Sequence, residues 1–167
     1  MTTLTQRELD ELLLQYDEWL RNDAAGKSPV FAGMDLSGLE LKKANLYHAD
    51  FRGCTLFYFP ACPCEGSFIG YKKAVTESGY AIVRLYIPED AKRNSATSYR
   101  CRADRARVLE ITDETGRALE EARSGRDESF VYRRGQWLEV REFDEDRWNE
   151  KTKGIHFYLS KEIAMLY

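Results

Sequence analysis

A basic stretch at residues 92–107 is the first candidate site in this chain. The stretch carries six lysines and arginines against one acidic residue, Asp104, whereas the whole chain has a net charge of −3. Guanidinium groups hydrogen-bond phosphate oxygens in pairs, and side-chain amides add neutral donors. We therefore predict that this stretch binds a nucleotide, a nucleic-acid backbone or an acidic protein surface. The candidate binding residues are Lys92, Arg93, Asn94, Arg100, Arg102, Arg105 and Arg107.

The alternative for the basic stretch is a solvated loop without a ligand. An acidic run lies further along the chain, and its carboxylates could pair with the arginines. Because runs of surface charge are usually only surface, both interpretations stay open. The acidic residues are Glu142, Asp144, Glu145, Asp146 and Glu150.

Three cysteines and a histidine form a second candidate site. Cys62 and Cys64, with Cys101 and either His156 or His48, could supply four ligands to zinc. Paired zinc cysteines usually stand two to four residues apart, so the single residue between Cys62 and Cys64 is unusual. The alternative is that these thiols are small packing residues. We expect no cofactor and keep zinc as the less favoured possibility.

His156 is the one side chain in a position to act as a general base. It lies in the strand-like segment GIHFYL, where alternation places it opposite Ile155 and Phe157, and the acidic residues Asp146 and Glu150 are near in sequence. The chain has no glycine-rich phosphate loop, zinc-protease motif or nucleophile elbow. We therefore expect a protein that is not an enzyme, with a small enzyme using His156 as an alternative.

Composition indicates a globular protein. The chain has 167 residues, 43% of them hydrophobic and 32% charged, which suits one domain or one domain with a small appendage. No apolar run approaches the ~20 residues of a membrane span, and the first residues lack the basic and apolar regions of a signal peptide. We expect a cytoplasmic protein without membrane contact, whose four cysteines are reduced.

The N-terminal 28 residues are predicted to form a capping helix. Thr5 and Glu8 have the spacing of a capping box, in which each side chain binds the other residue's backbone amide. Apolar residues at helical spacing follow, and Gly26 is a plausible stop. The apolar positions are Leu9, Leu12, Leu13, Tyr16, Trp19 and Leu20.

Residues 29–60 repeat with a period of five. Large apolar residues stand at strict five-residue steps, and each follows a residue with a polar side-chain oxygen. A helix would scatter this pattern around its axis and a strand would flip alternate copies. A chain that turns a corner every five residues buries them all, which is typical of a solenoid. The large residues are Leu36, Leu41, Leu46, Phe51 and Leu56.

The segment ANLYHADFRGC, residues 44–54, resembles the pentapeptide-repeat family, whose consensus is Ala, Asp or Asn, Leu and two variable residues. Met34, Leu39 and Glu40 depart from that consensus. The resemblance implies a right-handed, four-sided β-helix with four pentapeptides to a coil. The five repeats would then form a short stub, capped by the N-terminal helix.

Residues 61–167 are predicted to form a small β-rich domain that ends in a short helix capped by Ser160. The polar segment 114–127 is predicted to be a hairpin loop. The whole chain is accordingly assigned to a mainly β (α+β) fold class. Strands are predicted at Tyr80–Ile87, Arg107–Thr112, Phe130–Tyr132, Trp137–Val140 and Ile155–Leu159.

The segments SFIGYKKA, IPEDAKR and GIHFYLSKEIA resemble a domain of unknown function from phage and prophage genomes that commonly follows pentapeptide repeats. The resemblance implies an interaction protein that binds a host protein, with counter-defence, such as inhibition of CRISPR, as one such role. A monomer is favoured and a dimer is the alternative. The three consecutive aromatic residues at 57–59 are expected to pack beneath the β-rich domain.

Overall fold

The computed structural model describes residues 2–21, 26, 30–41, 44–55, 61–127 and 129–167. A short strand, β1 (Thr2–Thr3), precedes helix α1 (Gln6–Leu20). The predicted capping box is confirmed, because the Glu8 backbone amide donates to the Thr5 hydroxyl at 3.3 Å and the Thr5 amide donates to the Glu8 carboxylate at 2.7 Å. The helix ends at Leu20, earlier than Gly26 suggested. Neither helix in the described residues has the length and apolar character needed to span a membrane.

The repeat segment turns a corner every five residues, as predicted. At each corner a backbone amide donates to the carbonyl three residues earlier, over 2.8–3.2 Å. The polar position of the repeat supports the next turn, since Asp35, Asn45 and Asp50 each accept the backbone amide two residues further on. At intervals of five residues the backbone also adopts the left-handed conformation, which glycine adopts most easily. The left-handed residues are Gly33, Gly38, His48 and Gly53.

Residues of the repeat segment that are twenty positions apart lie side by side. Parallel bridges join Val30 to Asp50 and Asp35 to Thr55, and the Leu36 amide donates to the Thr55 carbonyl at 2.8 Å. Strand β2 (Met34–Asp35) also pairs in parallel with β1, a contact the sequence did not indicate. Four five-residue steps therefore return the chain to its own backbone.

One core joins helix α1 to the repeat segment. Leu36 and Leu46 are fully buried, together with Leu9 and Tyr16 of α1. The predicted apolar stripe of α1 is confirmed except at Trp19, which is 37% exposed. From the second half of the chain, Trp148 packs against this core. The predicted contact of the aromatic residues 57–59 lies outside the described residues.

The second half of the chain is mostly β, and the five predicted strands are confirmed to within a few residues. In chain order its elements are β3 (Phe68–Thr76), β4 (Gly79–Ile87), β5 (Arg93–Ser95), β6 (Cys101–Ala103), β7 (Arg105–Asp113), β8 (Glu121–Arg123), β9 (Val131–Arg133), β10 (Trp137–Glu139), β11 (Ile155–Phe157) and α2 (Lys161–Leu166). The Ser160 hydroxyl accepts the Ile163 amide and caps α2, as predicted.

These strands form two antiparallel sheets. The larger has the order β10-β7-β4-β3-β8-β9 and the smaller has the order β11-β6-β5. Strand β8 corrects the prediction that 114–127 is only a hairpin loop. Ala122 is buried in the core and Val75 of β3 pairs with Arg123, so tertiary packing makes a strand of a polar segment.

The two sheets meet where the end of β11 crosses β3. Tyr71 and Tyr158 exchange backbone hydrogen bonds of 2.7 and 2.8 Å. Beside them the Phe157 ring lies directly over Gly70, where a Cβ atom would come within 2.5 Å of the ring. Only a glycine in β3 permits this close approach, which places β11 next to the side chains of β3.

Candidate anion-binding site

The structure separates the side chains of the basic stretch. Lys92 pairs with Glu145 and Arg105 pairs with Asp90. The Arg93 guanidinium donates to backbone carbonyls, including that of Gly66 at 2.6 Å, and Arg107 donates to the Gly135 carbonyl at 3.3 Å. The predicted single binding surface does not form in the described residues, because most of these cations have local partners.

Arg102 and Asn94 are buried, which corrects their assignment as ligand contacts. Arg102 is 2% exposed, and its guanidinium donates to the carbonyls of Asp144 at 2.9 Å, Lys153 at 2.7 Å and Asp146 at 2.9 Å. Asn94 is 6% exposed and its side-chain amide approaches carbonyls of the same segment. Both residues fasten the segment 144–153 to the smaller sheet.

The thiols are placed as packing residues. Cys62 and Cys101 are buried and in contact; the hydrogen bond from the Cys101 thiol lowers the pKa of Cys62, and the same contact with burial raises that of Cys101. Cys64 is exposed. Within the described residues no three His, Cys, Asp or Glu side chains are arranged to hold a metal ion. The predicted zinc set of Cys62, Cys64, Cys101 and His156 is therefore not assembled.

A pocket of about 590 Å³ opens between β3, the turn after β8 and the segment that leads into β11. We call it the β3–β11 pocket. Cationic, aromatic and hydroxyl side chains from all three regions line it. Those used below are Lys72, Arg100, Arg126, Ser124, Phe130, Tyr132, His156, Tyr158 and Tyr167.

Among the six lysines and arginines that line the β3–β11 pocket, Lys72, Arg100 and Arg126 come from three different elements. Lys72 pairs in register with the fully buried Val83, so its side chain points to the interior face of the sheet. Arg100 immediately precedes β6, and Arg126 follows β8. Burial lowers the pKa of Lys72, and the positive charges of Arg100 and Arg126 lower it further. Lys72 thus lies close enough to both arginines to be repelled by each.

These three cations lack carboxylate partners among the described residues. Asp127 is the one acidic side chain that the described lining of the pocket includes, and its carboxylate accepts the Ser129 amide at 3.0 Å. Lys72 and Arg100 are half-buried, whereas Arg126 is exposed. Half-buried charges of one sign without partners raise the free energy of the empty site. An anion bound in the pocket would relieve that cost.

His156 is held as a neutral imidazole. Its Nε2 donates to the Thr152 carbonyl at 2.7 Å, and its Nδ1 is buried without a hydrogen-bond partner in the described part of the chain. Burial lowers its pKa to about 4 despite that hydrogen bond, with a further lowering from Arg100 and Lys72. The proposed acidic helpers Asp146 and Glu150 accept the backbone amides of other residues.

Sequence reasoning missed Lys72 and Arg126. The signal for Lys72 was present in β3, where strand alternation places it on the same face as Gly70 and Ala74, an unusual place for a lysine. Arg126 carried no such signal, because the strand that positions it was not predicted.

Fold and site together define a mostly β protein in which a five-residue repeat unit precedes a β domain with a cationic pocket. The chain belongs to the family of unknown function DUF5758, whose model matches residues 58–164. The model for pentapeptide repeats (8 copies) matches residues 30–56. Searches of curated proteins and of solved structures found no match.

Replacing Arg102 by lysine is expected to lower the free energy of unfolding by about 3 kcal/mol, although the charge is kept. One ammonium group cannot reproduce a guanidinium that bonds three carbonyls, so buried acceptors lose their donors. Chemical denaturation measures the change. Arg100→Lys is the matched control and should stay within about 0.5 kcal/mol of the native protein. Equal stability of the two variants would contradict the clamping role.

Acidification is expected to destabilise the protein between about pH 6.5 and pH 4 through His156. The folded-state pKa of about 4 lies below the unfolded value, so the unfolded state takes up the proton first and gains about 3 kcal/mol as the pH falls. His156→Gln should flatten this part of the stability profile in denaturation measured at several pH values. His48→Gln, at the exposed histidine, should leave the slope unchanged. An unaltered slope in His156→Gln would show that other groups cause it.

Proposed function

We propose that the protein is a binding protein, not an enzyme, and that the β3–β11 pocket takes a small molecule bearing a phosphate group. The observation that carries this proposal is the convergence of Lys72, Arg100 and Arg126 on one pocket without carboxylate partners in the described residues. Positive charge without partners lowers the stability of the folded protein, and such charge is common at ligand-binding sites.

Phosphate suits the three cations better than a carboxylate does. A phosphate monoester carries a charge between about −1.5 and −2 near neutral pH and offers three strong acceptor oxygens. Arginine side chains match these oxygens with pairs of hydrogen bonds, and lysine adds a point charge. The cationic set therefore balances one phosphate more completely than one carboxylate.

The shape of the site favours a small molecule over a nucleic-acid strand. A volume of about 590 Å³ lies within the range of small-molecule pockets. A strand needs a continuous positive track, whereas Lys92 and Arg105 already pair with acidic residues outside the pocket. Within the basic stretch, Arg100 is the member that the described lining of the pocket includes.

The hydrogen bonding and burial of His156 support the proposal that the protein is not an enzyme. Its Nε2 hydrogen is engaged by the Thr152 carbonyl, and its Nδ1 is shielded from solvent. A general base must reach the proton that it removes. The imidazole therefore serves as part of the wall, and we propose no reaction step for it.

A second candidate function follows from the resemblance to phage and prophage proteins. We propose that the chain binds a host protein, with counter-defence such as CRISPR inhibition as the biological role, and that it does so as a cytoplasmic monomer. The favouring observation is a cleft of about 480 Å³ between α1, the repeat segment and residues 150–151. Leu14 lines this cleft and is 62% exposed, so the cleft offers apolar surface to a partner.

The twenty-residue register supports the finer description of the repeat unit. Four corners between bridged residues are what a four-sided β-helix requires. We infer that the described residues between 30 and 55 form a little more than one coil, of the right-handed kind that the resemblance to pentapeptide repeats implies. A β-helix of this length is too short to form an extended rod, and its side faces α1 across the cleft. Its role would then be to complete the cleft beside α1.

Inverting the charge of Arg100 is expected to weaken binding of ribose 5-phosphate about tenfold or more, because the phosphate loses one of three cations and gains a repulsive neighbour. Isothermal titration calorimetry at low and high salt measures the affinity, which should fall as salt rises. Arg107→Glu makes the same charge change outside the pocket and should bind like the native protein. Failure of the native protein to bind any phosphate monoester would contradict the proposal.

Placing a charge at Leu14 is expected to abolish capture of a host protein in stoichiometric amount from host lysate, because the apolar contact in the cleft is lost. Leu14→Lys is compared with Leu166→Lys, which charges another exposed leucine and should leave capture intact. Recovery of no stoichiometric partner by the native protein would contradict the second function. Ribose 5-phosphate binding should be the same in both variants.

A further inference from the structure

We infer that the phosphorylated ligand of the β3–β11 pocket is a nucleotide whose base stacks on Tyr167. This inference rests on the proposed function, since it takes the phosphate contact with Lys72, Arg100 and Arg126 as given. It adds the part of the ligand that lies beyond the phosphate group, which the three cations alone do not specify.

The pocket is much larger than a phosphate group. Of its lining, the part that is not cationic is rich in aromatic rings. A ligand that used only the cations would leave the exposed ring of Tyr167 against water. The aromatic residues of the described lining are Phe130, Tyr132, Tyr158 and Tyr167.

Tyr158 and Tyr167 form a two-ring platform. Their rings are nearly parallel, with an angle of 15° between planes and centroids 5.1 Å apart. Tyr158 is 4% exposed and is fixed by the paired backbone hydrogen bonds with Tyr71. Tyr167 stacks on this fixed ring and is itself 55% exposed. It therefore offers a flat, rigidly backed surface to a ligand.

A planar base is the ligand part that uses such a surface best. Parallel stacking on an aromatic side chain stabilises any nucleobase, because every base has a π face. A sugar phosphate lacks a flat ring, and a lipid phosphate would gain nothing from ring orientation. Hydroxyl groups also line the pocket: burial raises the pKa of Tyr132, so its phenol stays protonated and able to donate.

Ser124 adds a second hydroxyl to the lining. Its Oγ accepts the Arg126 backbone amide at 3.3 Å, which leaves the hydroxyl hydrogen to be donated elsewhere. Ser124 and the phosphate-binding Arg126 are thus held in one turn. A ribose or a base edge, both rich in acceptors, complements these donors in a way that a purely apolar ligand does not.

The test compares ligands with and without a base. Calorimetry with the full chain measures AMP, GMP, CMP and UMP against ribose 5-phosphate. We expect at least one nucleotide to bind about tenfold tighter than ribose 5-phosphate, the lower range of one stacked base. Tyr167→Ala should reduce nucleotide affinity to that of ribose 5-phosphate, whereas Tyr167→Phe should retain it. Ribose 5-phosphate binding should be unchanged in both variants.

The failures of the two proposals are distinguishable. Equal affinities for the nucleotides and ribose 5-phosphate would overturn the inference and leave phosphate binding intact. The same holds if Tyr167→Ala keeps the preference for nucleotides, since the base would then stack elsewhere. If neither ribose 5-phosphate nor any nucleotide binds, the proposed function itself is wrong. Thermal melting of each variant confirms that it is folded before its affinity is compared.

Discussion

The guanidinium of Arg102 and the three carbonyls that it binds are the constraint on which the second half of the molecule depends. The segment 144–153 lacks strands and helices, so its backbone polar groups need partners from elsewhere. Arg102 supplies them from β6 and fixes the segment. The same segment carries Trp148, which packs on Phe51 of the repeat unit with ring centroids 4.9 Å apart, and it then forms one wall of the β3–β11 pocket. One buried charge therefore sets both the contact between the units and the shape of the site.

The contrast between Arg102 and its neighbour Arg100 shows how the fold assigns different roles to similar residues. Two positions apart, both side chains carry the same charge. The Arg102 guanidinium is buried and donates three hydrogen bonds to backbone carbonyls, so it is structural. Arg100 reaches a pocket where Lys72 repels it and the described lining offers little negative charge, so its bonding capacity stays available. Function in this molecule follows from which cations the fold leaves uncompensated.

Local patterns predicted the elements that local forces determine. The capping box, the apolar stripe of α1, the five-residue corners and strand β4 all follow from side chains close in sequence. Strands β1, β3, β5, β6 and β8 were not predicted. Of these, β1 and β8 depend on pairing with a partner that is distant in sequence. The site was missed for the same reason. Its three cations come from three elements, and no spacing in the sequence records their convergence. The basic stretch predicted the wrong ligand contacts because residues that are close in sequence differ in burial. Arg102 and Asn94 lie in the interior of the protein.

The twenty-residue return of the repeat segment restricts the lengths by which it can change in evolution. One inserted residue would move every later corner out of step and turn the following large side chains away from the interior. Five inserted residues would keep the corners but shift each later residue to the next side of the coil, so that Asp35 would no longer face Thr55. A change of twenty residues preserves both relations. Gene variants of this segment are therefore expected to differ by whole coils and not by single codons.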